Sequence, residues 1–278
     1  MLASDLLLAT ALVLAAPPPA PSAAALEAEW RAWRSRRLAS LQQPQGWLAL
    51  SGLHWLRDGE NRIAGLPGAF GVAGGKVTLT AAAADGWTLG GAPVTSRVLA
   101  SDRDGSPDRV STGSRTAQVI ERGGKLALRV WDAESPVRRQ FTGIDTFPLD
   151  PRWRVVARWE PYPTPREVEV PSVVGIPTRE LAPGRAWFTV DGAEHSLEPT
   201  LDGESLFFVF KDRTAPRETY GAGRFLSAAA PKDGLVVLDF NRAYNPPCAF
   251  TPYATCPLPL PRNVLPVRIE AGEKTWEH

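Results

Sequence analysis

Two short stretches carry side chains whose types and spacing suit chemistry. In LVVLDFN (235–241), strand alternation sets Val236, Leu238 and Phe240 on one face and Asp239 with Asn241 on the other. In TYGAGRFL (219–226) the same rule aligns Tyr220, Ala222, Arg224 and Leu226. If the two strands are neighbours, a phenol, a guanidinium, a carboxylate and an amide converge. Asn245 follows to hydrogen-bond the next loop, and Tyr253 adds stacking surface. Two uses of this cluster follow. A planar Arg224–Asp239 pair is either a clasp for that loop, since buried charges are normally paired, or the lining of a pocket. In the second case Asp239 serves as acid or base while Tyr220 and Arg224 stabilise charge.

The loop in question, NRAYNPPCAFTPYATCPLPLPRN (241–263), holds both cysteines of the chain, Cys248 and Cys256, among six prolines. Proline donates no backbone hydrogen, so a regular ladder is not available and something else must hold the segment. In an oxidising compartment the simplest clamp is a Cys248–Cys256 disulfide, worth about 2–3 kcal/mol for so short a loop. Three other readings stay open. A zinc pair normally has two to four intervening residues, not seven, and would need partners from His54, His195, His278 or carboxylates. A nucleophilic thiol needs a base and an electropositive setting, with no C-x-x-C or adjacent histidine here. Buried free thiols are the third. No metal or cofactor is expected. The loop is expected to form one wall of the functional site, as loops do when a rigid scaffold presents them.

The elements that must position these residues are mostly strands. KLALRVWD (125–132) alternates Leu126, Leu128 and Val130 against Ala127, Arg129 and Trp131, and WRVVARW (153–159) sets Trp153, Val155, Ala157 and Trp159 on one face. Asp191-Gly192 sits between two strand-like runs, a strong hairpin signal, and Gly123-Gly124 predicts another. Repeated short strands without βαβ spacing predict a mainly antiparallel β protein, a sandwich or partly open barrel. One helix stands before them, where Leu26, Trp30, Trp33, Arg37 or Leu38, and Leu41 recur at helical spacing and Pro44 marks the end. Its arginines read as a solvated face.

The chain has 278 residues, 44% hydrophobic and 22% charged, with a net charge of +1. That balance offers no field to gather nucleic acid or an anionic membrane. Only five of the 31 basic residues are lysines, so scattered arginines carry little functional weight. At the N-terminus an apolar run from Leu6 to Ala16 is followed by prolines and small residues. It is too short to span a bilayer, which needs about 20 residues, and reads as a secretory signal over residues 1–25. The helix (26–43) and a single β-rich domain (44–278) then form an exported chain, periplasmic or extracellular, without a transmembrane span.

No G-x-S-x-G, H-E-x-x-H, phosphate-cradling or dinucleotide fingerprint occurs. Gly221–Gly223 fits a close-packed strand better than a nucleotide loop. Ser51 and His54 in SGLH, and His195 after its turn, read as packing or surface residues. By contrast GWLALSGLHWLRDGENRI, TGIDTFPLDPRWRVVARWEPY, FVFKDRTAPRETYGAGRFL and the Cys248 loop together resemble the bacterial domain-of-unknown-function family numbered 1684. The resemblance runs from about Gly46 to Lys274 and implies one continuous domain; it supplies no activity. Two functions are therefore expected of the polar pocket near the Cys248–Cys256 loop: binding of a small molecule, sugar or envelope component, or catalysis by a hydrolase or other enzyme through Asp239 with Tyr220 and Arg224.

Overall fold

The computed structural model describes residues 21–276. The expected signal segment lies outside them for residues 1–20, and His278 lies outside them as well. The first element is the helix α1, Ala23–Leu41, capped by Ser22, whose hydroxyl accepts from the Ala25 amide at 3.2 Å. Leu26 and Leu41 are buried at its two ends, each worth roughly 1.5–3 kcal/mol.

Four antiparallel sheets follow among the described residues, none of them closed into a barrel. The largest has six strands, with Lys125–Asp132 paired on one side to Leu50–Trp55 and on the other to Arg115–Arg122. Its Leu128 and Val130 face a core shared with Phe70, Val77 and Leu79 of a neighbouring four-stranded sheet and with Trp87. Its Trp131 faces the opposite way, against Val209, Phe225, Ala254 and Cys256. The alternation expected of this strand therefore separates two hydrophobic cores.

A second four-stranded sheet is centred on two long strands, Arg154–Val170 and Thr178–Val190, which pair with each other. Thr178–Val190 turns into Ala193–Leu197 through Asp191 and Gly192, at φ of 50° and 77°. Both signs suit the primed turn that matches strand twist, which explains the Asp-Gly pair. On the other flank Arg154–Val170 pairs with Leu235–Asp239. Trp153 and Ala157 enter the main core with Leu238, Phe240 and Phe210, and Val155 and Trp159 pack against it, as their spacing predicts. Three further strands, Thr200–Asp202, Ser205–Phe210 and Arg224–Ala228, form a small sheet of their own.

The helix arginines do more than face solvent. Arg34 donates to the Ile144 carbonyl at 2.9 Å, and Arg37 pairs with buried Glu273 at 3.0 Å and donates to the Asn245 carbonyl at 2.8 Å. Trp30 adds an indole N–H to the Asn241 carbonyl at 3.1 Å. Interspersed arginines look like a polar stripe in sequence, yet their length lets them reach buried acceptors beside the apolar contacts.

Candidate functional site

The six candidate residues do not form one site. Arg224 lies opposite Phe210 in the small sheet, and its guanidinium pairs with Asp212 at 3.3 Å, both side chains 1% exposed. It also donates to the Ala271 carbonyl and, at 3.0 Å, to that of Ile269. Burial lowers its pKa and the Asp212 charge opposes that shift. The expected Arg224–Asp239 pair is thus corrected. The strand ending at Asp239 pairs with Arg154–Val170, with Asp239 opposite Arg154; it packs near Arg224–Ala228 but is not hydrogen-bonded to it. Nor is TYGAG a strand: Gly223 closes a turn at φ 105°, and a Cβ there would stand 2.6 Å from the Phe210 carbonyl oxygen.

Asp239 instead accepts from the Asn241 backbone and side-chain amides at 3.2 and 3.0 Å, with Arg242 3.2 Å away as its counter-charge. Asn241 exchanges two hydrogen bonds with the Asp150 backbone, at 3.1 and 3.0 Å. Asn245, fully buried, gives its amide N–H to Glu273 and its side-chain N–H to the Lys274 carbonyl, both at 2.7 Å. Tyr220 donates to the Cys248 carbonyl at 3.0 Å, and its phenol is pushed up mainly by burial. Tyr253 lies on the surface. These groups fasten the loop from several sides.

The expected disulfide is not present: Cys248 and Cys256 are free thiols. A hydrogen bond from the Cys248 amide to Cys256 Sγ at 3.1 Å closes the loop in its place. The contact with Cys248, together with burial, pushes the Cys256 thiol up. Further ties come from outside. Val173 N–H donates to the Cys256 carbonyl at 3.0 Å, Leu258 N–H to that of Pro171 at 2.7 Å, and the Thr251 hydroxyl to that of Leu50 at 2.9 Å. Satisfying the loop by partners on other segments is what its prolines require.

So fastened, the segment Ala254–Leu258 walls a cleft of about 760 Å³. The other walls are the Glu121–Gly123 hairpin end and Arg129 of the six-stranded sheet, Val170 to Glu180 of the long hairpin, and Phe207, Val209 and Phe225 of the small sheet. None of Tyr220, Arg224, Asp239, Asn241, Asn245 and Tyr253 lines it. The loop therefore flanks the cleft through residues further along than those expected to matter.

Charge in the cleft is mostly paired. Arg122 holds Asp102 at 2.7 Å, Glu121 holds Arg103 at 3.0 Å, and buried Glu198 holds Arg262 at 2.6 Å and accepts the Tyr162 phenol at 2.5 Å. Arg129 differs. It is 8% exposed, makes no hydrogen bond or ion pair among the described residues, and lies 5.3 Å from the Trp47 ring and 6.0 Å from that of Trp131. Burial, then the neighbouring Arg122 charge, pushes its pKa down to about 10, so it stays protonated at neutral pH. Sequence reasoning passed over Arg129. The available signal was a guanidinium between Ala127 and Trp131 on one face of an otherwise apolar strand.

Fold and cleft together describe an antiparallel β protein with an interlayer cavity. Residues 139–274 match the family described as "Protein of unknown function (DUF1684)", and the chain belongs to that family. It is also similar to an uncharacterized protein of Haloarcula marismortui whose solution NMR structure is known. Identity is 32%, over 50% of this chain and 79% of that one, at a TM-score of 0.42. No curated protein matches.

Proposed function

We propose that the protein is an exported, non-catalytic binding protein that holds a small organic molecule in the cleft walled by Ala254–Leu258. One observation carries this reading: a cavity of about 760 Å³ whose aromatic and aliphatic lining comes from three sheets and a loop pinned in place. A concave, largely apolar site with a few polar groups is the usual form of a ligand site, and fastening by outside partners keeps it pre-formed. The apolar run Leu6–Ala16 supports export.

The enzymatic alternative loses its geometric support, because Asp239, Tyr220 and Arg224 are each committed to structural partners and stand apart from the cleft. Ser51 is likewise spent on the Val130 carbonyl at 3.2 Å. In an oxidising compartment Cys248 and Cys256 would pass two electrons and two protons to a disulfide reagent such as oxidised glutathione, giving the S–S bond and two thiols.

The test is mass spectrometry of small molecules retained from cell extract by the wild-type chain and by Thr178→Trp, which puts a bulky side chain into the lining of the cleft. A compound held by the first and lost from the second supports the reading. Identical retention by the two places the site elsewhere.

A further inference from the structure

We propose that Arg129 anchors the carboxylate of a small organic monoanion whose apolar body rests against Trp47, Phe207 and Val209; the inference builds on the cleft being the binding site. A guanidinium carries five N–H donors, and buried donors are normally satisfied. Those of Arg129 have no acceptor among the described residues. Its aromatic neighbours offer only their ring faces, which attract the charge and leave the N–H edge free. The side chain is also held in place, on a strand paired on both sides, with Leu53 and Gln118 as its partners.

Counting charges narrows the ligand. Arg122, Glu121 and Glu198 are each neutralised by a partner of opposite sign, and the upward-shifted Cys256 thiol stays uncharged beside Arg129. The buried charges of the lining therefore leave one uncompensated positive charge, that of Arg129. Glu180, half-buried, and Asp202, exposed, stand in the lining without an ion pair among the described residues and oppose further negative charge beside them. One guanidinium fork, with acidic groups elsewhere in the lining, suits the two oxygens of a single carboxylate better than a phosphate dianion. The aromatic and branched lining suits a chain or ring behind that carboxylate.

Isothermal titration of the full chain with octanoate and phenylacetate, against octanol and phenylethanol, tests this. The expected result is that the acids bind at least tenfold more tightly than the alcohols. Arg129→Met should bind acids and alcohols alike, and should unfold at the same or a higher denaturant concentration, because an unpaired buried charge has been removed. Arg129→Lys keeps the charge without the fork and should retain only part of the preference; it stands in if the Met variant does not fold. Acids and alcohols binding equally to wild type would overturn the anchor and leave the cleft standing. Binding of neither overturns both. A preference that survives in Arg129→Met, or in full in Arg129→Lys, also overturns the anchor.

Discussion

Asp212→Asn is the substitution that most sharply separates the observed network from the one the sequence suggested. Asp212 and Arg224 are both 1% exposed, so water does little to screen either charge. One Asp212 oxygen accepts from the Thr214 hydroxyl at 2.6 Å, and the other from the Ile269 amide at 2.6 Å and Arg224 at 3.3 Å. An asparagine with its oxygen turned to Ile269 and Arg224 could give its N–H to Thr214, so shape and most hydrogen bonds survive while the charge does not. What remains is a buried guanidinium without a counter-ion, a loss of about 3–5 kcal/mol. Asp239→Asn acts on a pair that is 11% and 30% exposed, and Arg242 keeps Glu29 at 2.9 Å. Its cost should be about 0–1 kcal/mol. For a chain of this size the first loss corresponds to a fall in Tm of about 6–20 °C and the second to a few degrees at most. Thermal and urea unfolding followed by tryptophan fluorescence would measure both. Equal losses, or an Asp212→Asn protein within about 1 kcal/mol of wild type, would refute the reasoning.

Other perturbations follow from the same contacts. Arg37→Ala strands Glu273 beneath α1 and should cost about 3–5 kcal/mol by urea denaturation, with Glu273→Gln in that background recovering part of the loss. Gly223→Ala must adopt φ near 105° and meet the Phe210 carbonyl; a loss of at least about 2 kcal/mol is expected in the same assay. Burial raises the Tyr244 phenol, so it keeps its proton in the folded chain at pH values where the unfolded chain has lost it. Stability is then fully present below about pH 10 and falls above it by up to about 1.4 kcal/mol per pH unit for this residue. Tyr244→Phe should flatten that alkaline slope. Incubation with oxidised glutathione should leave no thiol titratable after unfolding, and two titratable thiols would exclude the Cys248–Cys256 bond.

The parts of the fold written in local pattern were legible. Leu128 and Val130 on one face, Trp153 and Ala157 on another, and the Asp191-Gly192 turn all depend on neighbours in sequence. Alternation also said correctly that Asp239 and Arg224 are polar groups in apolar strands. It could not say which strands are adjacent, because pairing Leu235–Asp239 with Arg154–Val170 is a contact across some 80 residues. The partner of Arg224 was therefore misassigned although the need for one was plain. Arg129 escaped notice for the opposite reason: its neighbours in sequence are unremarkable, and only the assembled layers show that its guanidinium lacks an acceptor. A cleft does lie beside the loop, but Ala254 to Leu258 line it and not the polar start that was expected to.

The last segment of the chain completes contacts begun almost everywhere else. Arg224 waits for Ile269 and Ala271, Arg37 for Glu273, and the Glu198 amide for Asn263, at 2.9 Å. Since a ribosome delivers residues in order, none of these closures is available before residues 263–273 have been made, and Arg37 of α1 waits across 236 positions for Glu273. A chain cut short ahead of that segment would lose these partners of Arg224, Arg37 and Glu198 together.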